Sequence, residues 1–172
     1  MRHVRRGGDY LRVADPSWRN PLSGEYARSR GGRWNSPGAF PVVYLNASAE
    51  LARALVRSRL ESRGIRPEDV LPEAGPVLVH TTIPDDDYVN AVTDAGLNAV
   101  GLLASYPLDR RGRIVPHRVC QPIGQQAWSG GERGIACRSA TPDAPVRGGE
   151  ELAYFDRQRL IVDEVQPFAG WF

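Results

Sequence analysis

The sequence predicts an α+β domain, because strand and helix patterns are interspersed without the regular alternation of a doubly wound sheet. Residues 41–46 include Val-Val-Tyr-Leu, in which all but one residue is β-branched or aromatic, so a strand is predicted there. Apolar residues then recur at helical spacing between Ser48, a candidate N-cap, and Gly64, a helix end. A second strand is predicted over residues 76–83, which read Pro-Val-Leu-Val-His-Thr-Thr-Ile.

The remaining elements are weaker patterns. Residues 1–9 are basic and glycine-containing, and they are predicted to form a flexible lead-in to a single domain over residues 10–172. The other predicted elements are a strand at residues 10–13, a loop at 15–24, short helices at 85–92 and 95–104, a helix at 121–129, and strands at 134–138, 152–155 and 160–165.

Composition excludes several classes of protein. The chain of 172 residues is long enough for one core, and its formal net charge of +2 does not indicate a nucleic-acid partner. No segment approaches the ~18 uninterrupted apolar residues of a membrane helix, and no apolar stretch follows the basic start as in a secretory signal. Cys120 and Cys137 are isolated, which suits a reducing compartment. We therefore expect a cytoplasmic protein that binds neither membranes nor nucleic acid directly.

The common site motifs are absent from the sequence. His80 and His117 are isolated, and there is no HExxH pattern or Cys/His cluster, so no metal site is predicted. The glycine-rich segments form neither GxGxxG nor a Walker loop. No nucleophile elbow or Cys–His pair is present either.

The most informative segment is residues 31–38, which read Gly-Gly-Arg-Trp-Asn-Ser-Pro-Gly. Glycines allow a ligand to approach the main chain closely. Arg33 supplies a planar, permanently charged group for phosphate or carboxylate, and Trp34 supplies a flat face to stack on or to bury. The residues alone leave open a second interpretation, a structural turn into the next strand with an exposed arginine.

This loop, together with the Val-Val-Tyr-Leu that follows it, resembles the RES domain, which is named for its arginine, glutamate and serine. The similarity extends to residues 10–13, 120–124 and 134–140, so it covers the chain from about residue 10 to about residue 156. Members of the family are toxins of bacterial toxin–antitoxin pairs and consume NAD. The resemblance implies a single RES-like domain with an ADP-ribosyltransferase-like split β-sheet, flanking helices, and NAD in a cleft beside the sheet.

The resemblance also implies which residues bind and cleave NAD. Arg12 and Arg33 match the two family arginines, which would hold the phosphates or the ribose. Tyr44 matches the tyrosine at the nicotinamide end, Ser139 matches the serine, and Trp34 is expected to contact NAD. Nicotinamide leaves as a neutral molecule, so such a site must mainly hold the dinucleotide and stabilise an oxocarbenium-like ribose. Of these residues, the expected catalytic ones are Arg33, Tyr44 and Ser139.

One position departs from the family pattern. The family glutamate lies eleven residues after the tyrosine, and this position is Leu55. Glu50 and Glu61 lie five and six residues away, so neither shares its helical face. Either another carboxylate reaches the site, or the enzyme is slow, or the fold binds without catalysis. The candidate carboxylates are Asp15, Glu25 and Asp109.

The sequence therefore predicts a RES-type toxin-like protein that binds and degrades NAD by phosphorolysis or hydrolysis of the nicotinamide–ribose bond, or that transfers ADP-ribose. The alternative is a catalytically weakened module that binds NAD, another nucleotide or a partner, because of Leu55. NAD is the substrate or ligand, and no separate cofactor is expected. An antitoxin protein is the expected partner, and assembly into a homo-oligomer stays open.

Overall fold

A computed structural model describes residues 1–141 and 149–172. In chain order the elements are β1 (His3–Ala14), α1 (Glu25–Arg30), β2 (Val42–Asn46), α2 (Ala49–Glu61), a short 3₁₀ helix (Pro67–Asp69), β3 (Val77–Ala91), α3 (Asp94–Ala99), α4 (His117–Ser129), β4 (Gly134–Arg138), β5 (Glu150–Phe155), β6 (Glu164–Gln166) and α5 (Phe168–Trp171). A sheet with flanking helices and no regular βα alternation confirms the predicted α+β class.

The six strands found in the described residues belong to one sheet, in the order β1-β2-β5-β4-β3-β6. β1 also pairs with β3 from His3 opposite Val89 to Ala14 opposite Val77, so the pairings through β2, β5 and β4 return to their starting strand. β3 and β4 run parallel, and the other pairs are antiparallel. The described strands are thus connected, whereas a split sheet was predicted. The ADP-ribosyltransferase-like description stays a prediction.

The two long strands correct two predictions. Residues 3–9, predicted to be part of a flexible lead-in, lie in β1, and residues 85–91, predicted to be helical, lie in β3. These segments pair with each other, and the Arg5 Nε lies 3.0 Å from the Asp85 Oδ1. Neither segment has a strong strand pattern by itself. The strand conformation therefore depends on the partner strand, which local patterns do not reveal.

The helices agree better with the sequence. The Ser48 hydroxyl accepts a hydrogen bond from the Leu51 N–H at 3.2 Å, which confirms the predicted cap of α2. The predicted helix at residues 121–129 begins four residues earlier, at His117. The predicted strand at residues 160–165 is reduced to the short β6. α1 was not predicted, because it follows a segment rich in turn-forming residues.

Alternation along the strands separates two faces of the sheet. We call the side that packs Trp34, Val42, Cys137 and Ala153 the Trp34 face. The opposite side, the Tyr10 face, packs a second core cluster. The members of that cluster on the strands include Tyr10, Ala14, Val43, Leu45, Ala136, Leu152 and Tyr154. Polar side chains of the strands can contact one another only when they lie on the same face of the sheet.

Three further features of the described residues concern membrane-spanning helices, metal-binding clusters and disulfides. No helix among residues 1–141 and 149–172 has the length and apolar character needed to cross a membrane. Within the same ranges, no cluster of three or more His, Cys, Asp or Glu residues is arranged to hold a metal ion. Cys120 and Cys137 are both buried and are not joined in a disulfide.

Candidate active site

Tyr44 holds the loop at residues 31–38 closed. The Trp34 N–H donates to the Tyr44 phenol oxygen at 2.8 Å, and the phenol donates to the Asn35 Oδ1 at 2.9 Å. A Cβ at Gly32 would lie 2.4 Å from the same phenol oxygen, so this close approach requires glycine. Burial raises the pKa of Tyr44, which keeps the phenol protonated as a donor. The loop is thus fixed before any ligand arrives.

Trp34 lies inside the core. Its side chain is 0% exposed, its ring centroid is 6.1 Å from that of Tyr106, and its indole N–H donates to the Cys137 Sγ at 3.3 Å. The predicted contact of Trp34 with NAD is therefore corrected, because the ring has no exposed face to offer. α4 covers the loop closely: a Cβ at Gly124 would lie 1.7 Å from the Trp34 carbonyl oxygen. The burial of a large aromatic side chain here stabilises the fold.

Arg33 extends from this loop toward the start of α4. Its Nη1 donates to the Val115 carbonyl at 2.8 Å, and its side chain is half-buried. Burial and the charge of Arg33 together lower the pKa of His117. Burial raises the pKa of the Cys120 thiol, and Arg33 opposes that rise. A guanidinium has several N–H donors, so the bond to Val115 leaves capacity for an anionic ligand.

Ser139 follows β4 and is hydrogen-bonded to a carboxylate of β5. Its hydroxyl donates to the Glu151 Oε1, and its Oγ accepts from the Thr141 N–H at 3.1 Å. Glu151 retains some exposed surface, but its carboxylate is buried enough that burial raises its pKa. Ser139, Arg33 and Arg59 oppose this rise, in that order. A buried carboxylate is therefore hydrogen-bonded to a hydroxyl, and the charges of two arginines favour its ionised form.

Strand register places Tyr44 beside the same carboxylate. Tyr44 pairs with Ala153 and Asn46 pairs with Glu151, so Tyr44 and Glu151 are diagonal neighbours on one face, with Cα atoms roughly 7–8 Å apart. Both Glu151 and Arg33 are close enough to act on the pKa of Tyr44. The structure thus brings Arg33, Tyr44 and Ser139 together around Glu151, in what we call the Glu151 site.

Arg12 lies elsewhere. Its side chain is 5% exposed, its Nη1 donates to the Ser23 carbonyl at 3.0 Å, and its guanidinium lies 5.3 Å from the Trp18 ring centroid. Burial lowers the pKa of Arg12 to about 10, and the charge of Asp156 partly opposes the effect. Arg12 falls between Tyr10 and Ala14 on the alternating strand β1, and therefore on the Tyr10 face. The predicted convergence of both arginines on one pocket is corrected.

The three candidate carboxylates named from the sequence are bound locally. Asp15 accepts from the Ser17 hydroxyl at 2.6 Å, Glu25 lies 3.4 Å from the Arg28 Nη1, and Asp109 lies 3.0 Å from the Arg113 Nη2. Sequence reasoning missed Glu151, because the strand was predicted to begin at residue 152, whereas β5 begins at Glu150. The sequence did contain an indication of its position. Residues 151, 153 and 155 are two apart along the strand and therefore share one face, and Ala153 and Phe155 are buried on it, so Glu151 is a charged residue on the inward face.

A cavity of about 440 Å³ lies between the loop at residues 15–24 and α1. The rings of Trp18 and Tyr26 stand 5.0 Å apart at 35°. The residues lining the cavity are Ser17, Trp18, Arg19, Asn20, Ser23 and Tyr26.

Comparison with known proteins identifies the family. The profile of the RES domain matches residues 9–169. This chain belongs to the RES domain family. Three RES relatives, each named NAD(+) phosphorylase MbcT, come from Mycobacterium bovis and two strains of Mycobacterium tuberculosis. Each is 33% identical over 147 residues, which is 82% of this chain and 70% of the relative.

A solved structure supports the same assignment. The chain is similar to one in the crystal structure of the M. tuberculosis MbcT–MbcA toxin–antitoxin complex, with a TM-score of 0.74 and 26% identity. The similarity covers 96% of this chain and 86% of the other. The similarity therefore extends over nearly all of this chain, and the RES family resemblance read from its sequence is confirmed.

Proposed function

We propose that this RES-domain protein binds NAD in the Glu151 site and cleaves its nicotinamide–ribose bond. The observation that carries the proposal is the meeting of Arg33, Tyr44 and Ser139 around one buried carboxylate. Relatives named NAD(+) phosphorylase support NAD as the substrate and phosphate as the acceptor. The similarity to a toxin–antitoxin complex supports a toxin role and an antitoxin partner. A cytoplasmic location, where NAD is available, follows from the same proposal.

The reaction requires the C–N bond to break with its electron pair moving to the nicotinamide nitrogen. Nicotinamide leaves as a neutral molecule, and an oxygen of phosphate then supplies the electron pair for the new bond to the ribose carbon. Positive charge develops on the ribose between these events, so preorganised negative charge and hydrogen bonds lower the barrier. General acid–base groups contribute little to such a step.

The chain supplies separate groups for holding and for cleaving. Arg33 would bind the dinucleotide pyrophosphate, because a guanidinium forms paired hydrogen bonds with phosphate oxygens. Ser139 would orient the ribose or the carboxamide through its hydroxyl. Tyr44 would pack at the nicotinamide end while its phenol, bonded to Trp34 and Asn35, keeps Arg33 in position.

The second candidate function is a module that binds NAD without turnover. The observation that favours it is Leu55, because a leucine on α2 cannot hydrogen-bond a ribose hydroxyl or stabilise positive charge. This alternative predicts NAD binding in calorimetry with no release of nicotinamide. Transfer of ADP-ribose to a protein, and hydrolysis by water, differ from phosphorolysis only in the acceptor.

The experiment incubates purified protein with NAD, with and without inorganic phosphate, and measures nicotinamide and ADP-ribose products by mass spectrometry. We expect nicotinamide release that depends on phosphate and yields a phosphorylated ADP-ribose. The Arg33→Ala variant should lose about 10²–10³-fold in rate, since it removes one preorganised charged group. Arg30→Ala is the matched control, because Arg30 is exposed and lies at the end of α1.

The result that contradicts the proposal is equally specific. Wild-type protein that releases no more nicotinamide than Arg33→Ala, over hours at high enzyme concentration, excludes NAD degradation. Turnover that is unaffected by phosphate, with ADP-ribose as product, would retain the substrate and replace phosphorolysis by hydrolysis.

A further inference from the structure

We infer that Glu151 supplies the carboxylate that the family pattern places at Leu55, and that it stabilises the positive charge on the ribose from β5 instead of α2. The inference rests on the proposed function and names a further catalytic residue for it. Among the carboxylates considered for this role, Glu151 is the one that the structure places beside Arg33, Tyr44 and Ser139.

Glu151 lies near the face of α2 that carries Leu55, the position of the family glutamate. Leu55 and Arg59 are four residues apart on α2 and therefore share one helical face. Arg59 acts on the pKa of Glu151, and Glu151 acts on that of Arg59. Although Arg59 is exposed as a whole, burial around its guanidinium lowers its pKa. A carboxylate on β5 is thus within electrostatic range of the α2 face that carries Leu55.

The local connection supports this replacement. β2 ends at Asn46, and α2 begins three residues later, after its Ser48 cap. Asn46 is the pairing partner of Glu151 in the sheet. The chain therefore leads from the strand position opposite Glu151 directly into the helix that carries Leu55, so the two positions lie on adjacent elements of the same site.

The surroundings of Glu151 are unfavourable for a carboxylate with only a structural role. On the Trp34 face its neighbours along and across the strands are Ala153 and Cys137, both buried. Burial of a charged group there costs free energy that an apolar residue would avoid. Within residues 1–141 and 149–172, no arginine forms an ion pair with Glu151 within 4.0 Å. Among the described residues, the carboxylate of Glu151 is therefore not neutralised by a direct ion pair with an arginine.

The adjacent residue provides a matched control. Glu150 points to the Tyr10 face, where its Oε1 lies 2.5 Å from the Arg6 Nε and accepts from the Tyr10 hydroxyl at 3.3 Å. Glu150 and Glu151 thus have the same chemistry and neighbouring positions on β5, but they face opposite sides of the sheet. A change at Glu150 tests the fold without entering the Glu151 site.

The test compares Glu151→Gln with Glu150→Gln in the nicotinamide-release assay. Glutamine keeps the shape and an oxygen acceptor for the Ser139 hydroxyl, but it removes the negative charge. We expect Glu151→Gln to lower kcat by about 10²–10³-fold with a much smaller change in KM for NAD. Glu150→Gln should keep the wild-type kcat, with circular dichroism showing that both variants are folded.

A rescue variant separates a catalytic role from a structural one. Leu55→Glu, introduced into Glu151→Gln, returns a carboxylate to the family position. The double variant should release nicotinamide at least about tenfold faster than Glu151→Gln alone, because it regains one charged group that stabilises the transition state. Loss of a purely structural contact would not be restored from a different element.

The outcomes distinguish the two proposals. An active wild type with an unimpaired Glu151→Gln variant overturns the role of Glu151 and leaves NAD degradation intact. A wild type that binds NAD without turnover contradicts both, because a group that stabilises the ribose cation must appear in the rate. If Glu151→Gln is unfolded, Glu151→Asp keeps the charge and displaces it, and a wild-type kcat in that variant also overturns the inference.

Discussion

Each of the two loops that flank α1 contains a tryptophan that is accompanied by an arginine, but the two pairs are used in opposite ways. At residues 31–38, Trp34 is fully buried in the core and Arg33 is half-buried beside the Glu151 site. Beside residues 15–24, Arg12 is buried and Trp18 is half-buried at the edge of a cavity. Residue type alone therefore does not decide which side chain is available to a ligand.

The contrast has a physical origin in what each side chain bonds. The Arg12 guanidinium is tied to the Ser23 carbonyl and to the Trp18 ring, so it fixes the loop at residues 15–24 against β1. Trp34 is tied to Cys137 through its indole N–H, so it fixes the loop at residues 31–38 against β4. Trp34 thus anchors its own loop, whereas the loop at residues 15–24 is anchored by Arg12 of β1, and the other member of each pair, Arg33 or Trp18, keeps some exposed surface.

The largest expected effect follows from the anchoring role of Trp34. Trp34→Ala should lower the free energy of unfolding by about 3–5 kcal/mol, because it empties a core position between the sheet and Tyr106. Trp18→Ala, at the half-buried position, should cost much less. Urea unfolding monitored by circular dichroism measures both. Similar losses for the two variants would contradict the assignment of anchor and accessible residue.

The two arginines should show the reverse pattern. Arg12→Ala removes a buried hydrogen bond and leaves Asp156 without its compensating charge, so we expect a loss of about 1–3 kcal/mol in unfolding free energy. The rate of nicotinamide release per folded molecule should change far less than in Arg33→Ala. A variant with full stability but no activity would instead place Arg12 in the NAD site.

Much of the site could be predicted from the sequence, because its motifs lie in elements with strong local patterns. The Arg-Trp-Asn loop, the Val-Val-Tyr-Leu of β2 and the segment at residues 134–140 carried the family resemblance and pointed to Arg33, Tyr44 and Ser139. The Ser48 cap marked the start of α2. Each of these signals depends on residues within a few positions of one another. Local sequence was therefore sufficient for them.

The rest depends on which face a strand residue occupies and on which strand pairs with which. The inward position of Glu151 follows from its pairing with Asn46 and Cys137, which join three separate segments of the chain. The position of Arg12 on the Tyr10 face likewise follows from β1 pairing with β3. A shift of one residue in register would exchange the faces, so patterns without register could not decide either position.

The smallest expected effect is the pH dependence that Glu151 gives to stability. Burial raises the pKa of Glu151 above its value in the unfolded chain, although Ser139, Arg33 and Arg59 oppose the rise. The fold thus favours the protonated form, and this contribution to stability is complete below the unfolded pKa and is lost as the pH rises through the folded pKa.

Glu151→Gln should therefore gain stability relative to wild type with rising pH, by about 1.4 kcal/mol for each unit of difference between the two pKa values. Urea unfolding of both proteins between about pH 4 and about pH 8 measures the difference, to which Tyr44, Tyr106 and Cys137 contribute little because burial raises their pKa values above this range. Parallel stability curves would show that the pKa of Glu151 is the same in the folded and the unfolded chain, and burial would then have no net effect on the carboxylate of the Glu151 site.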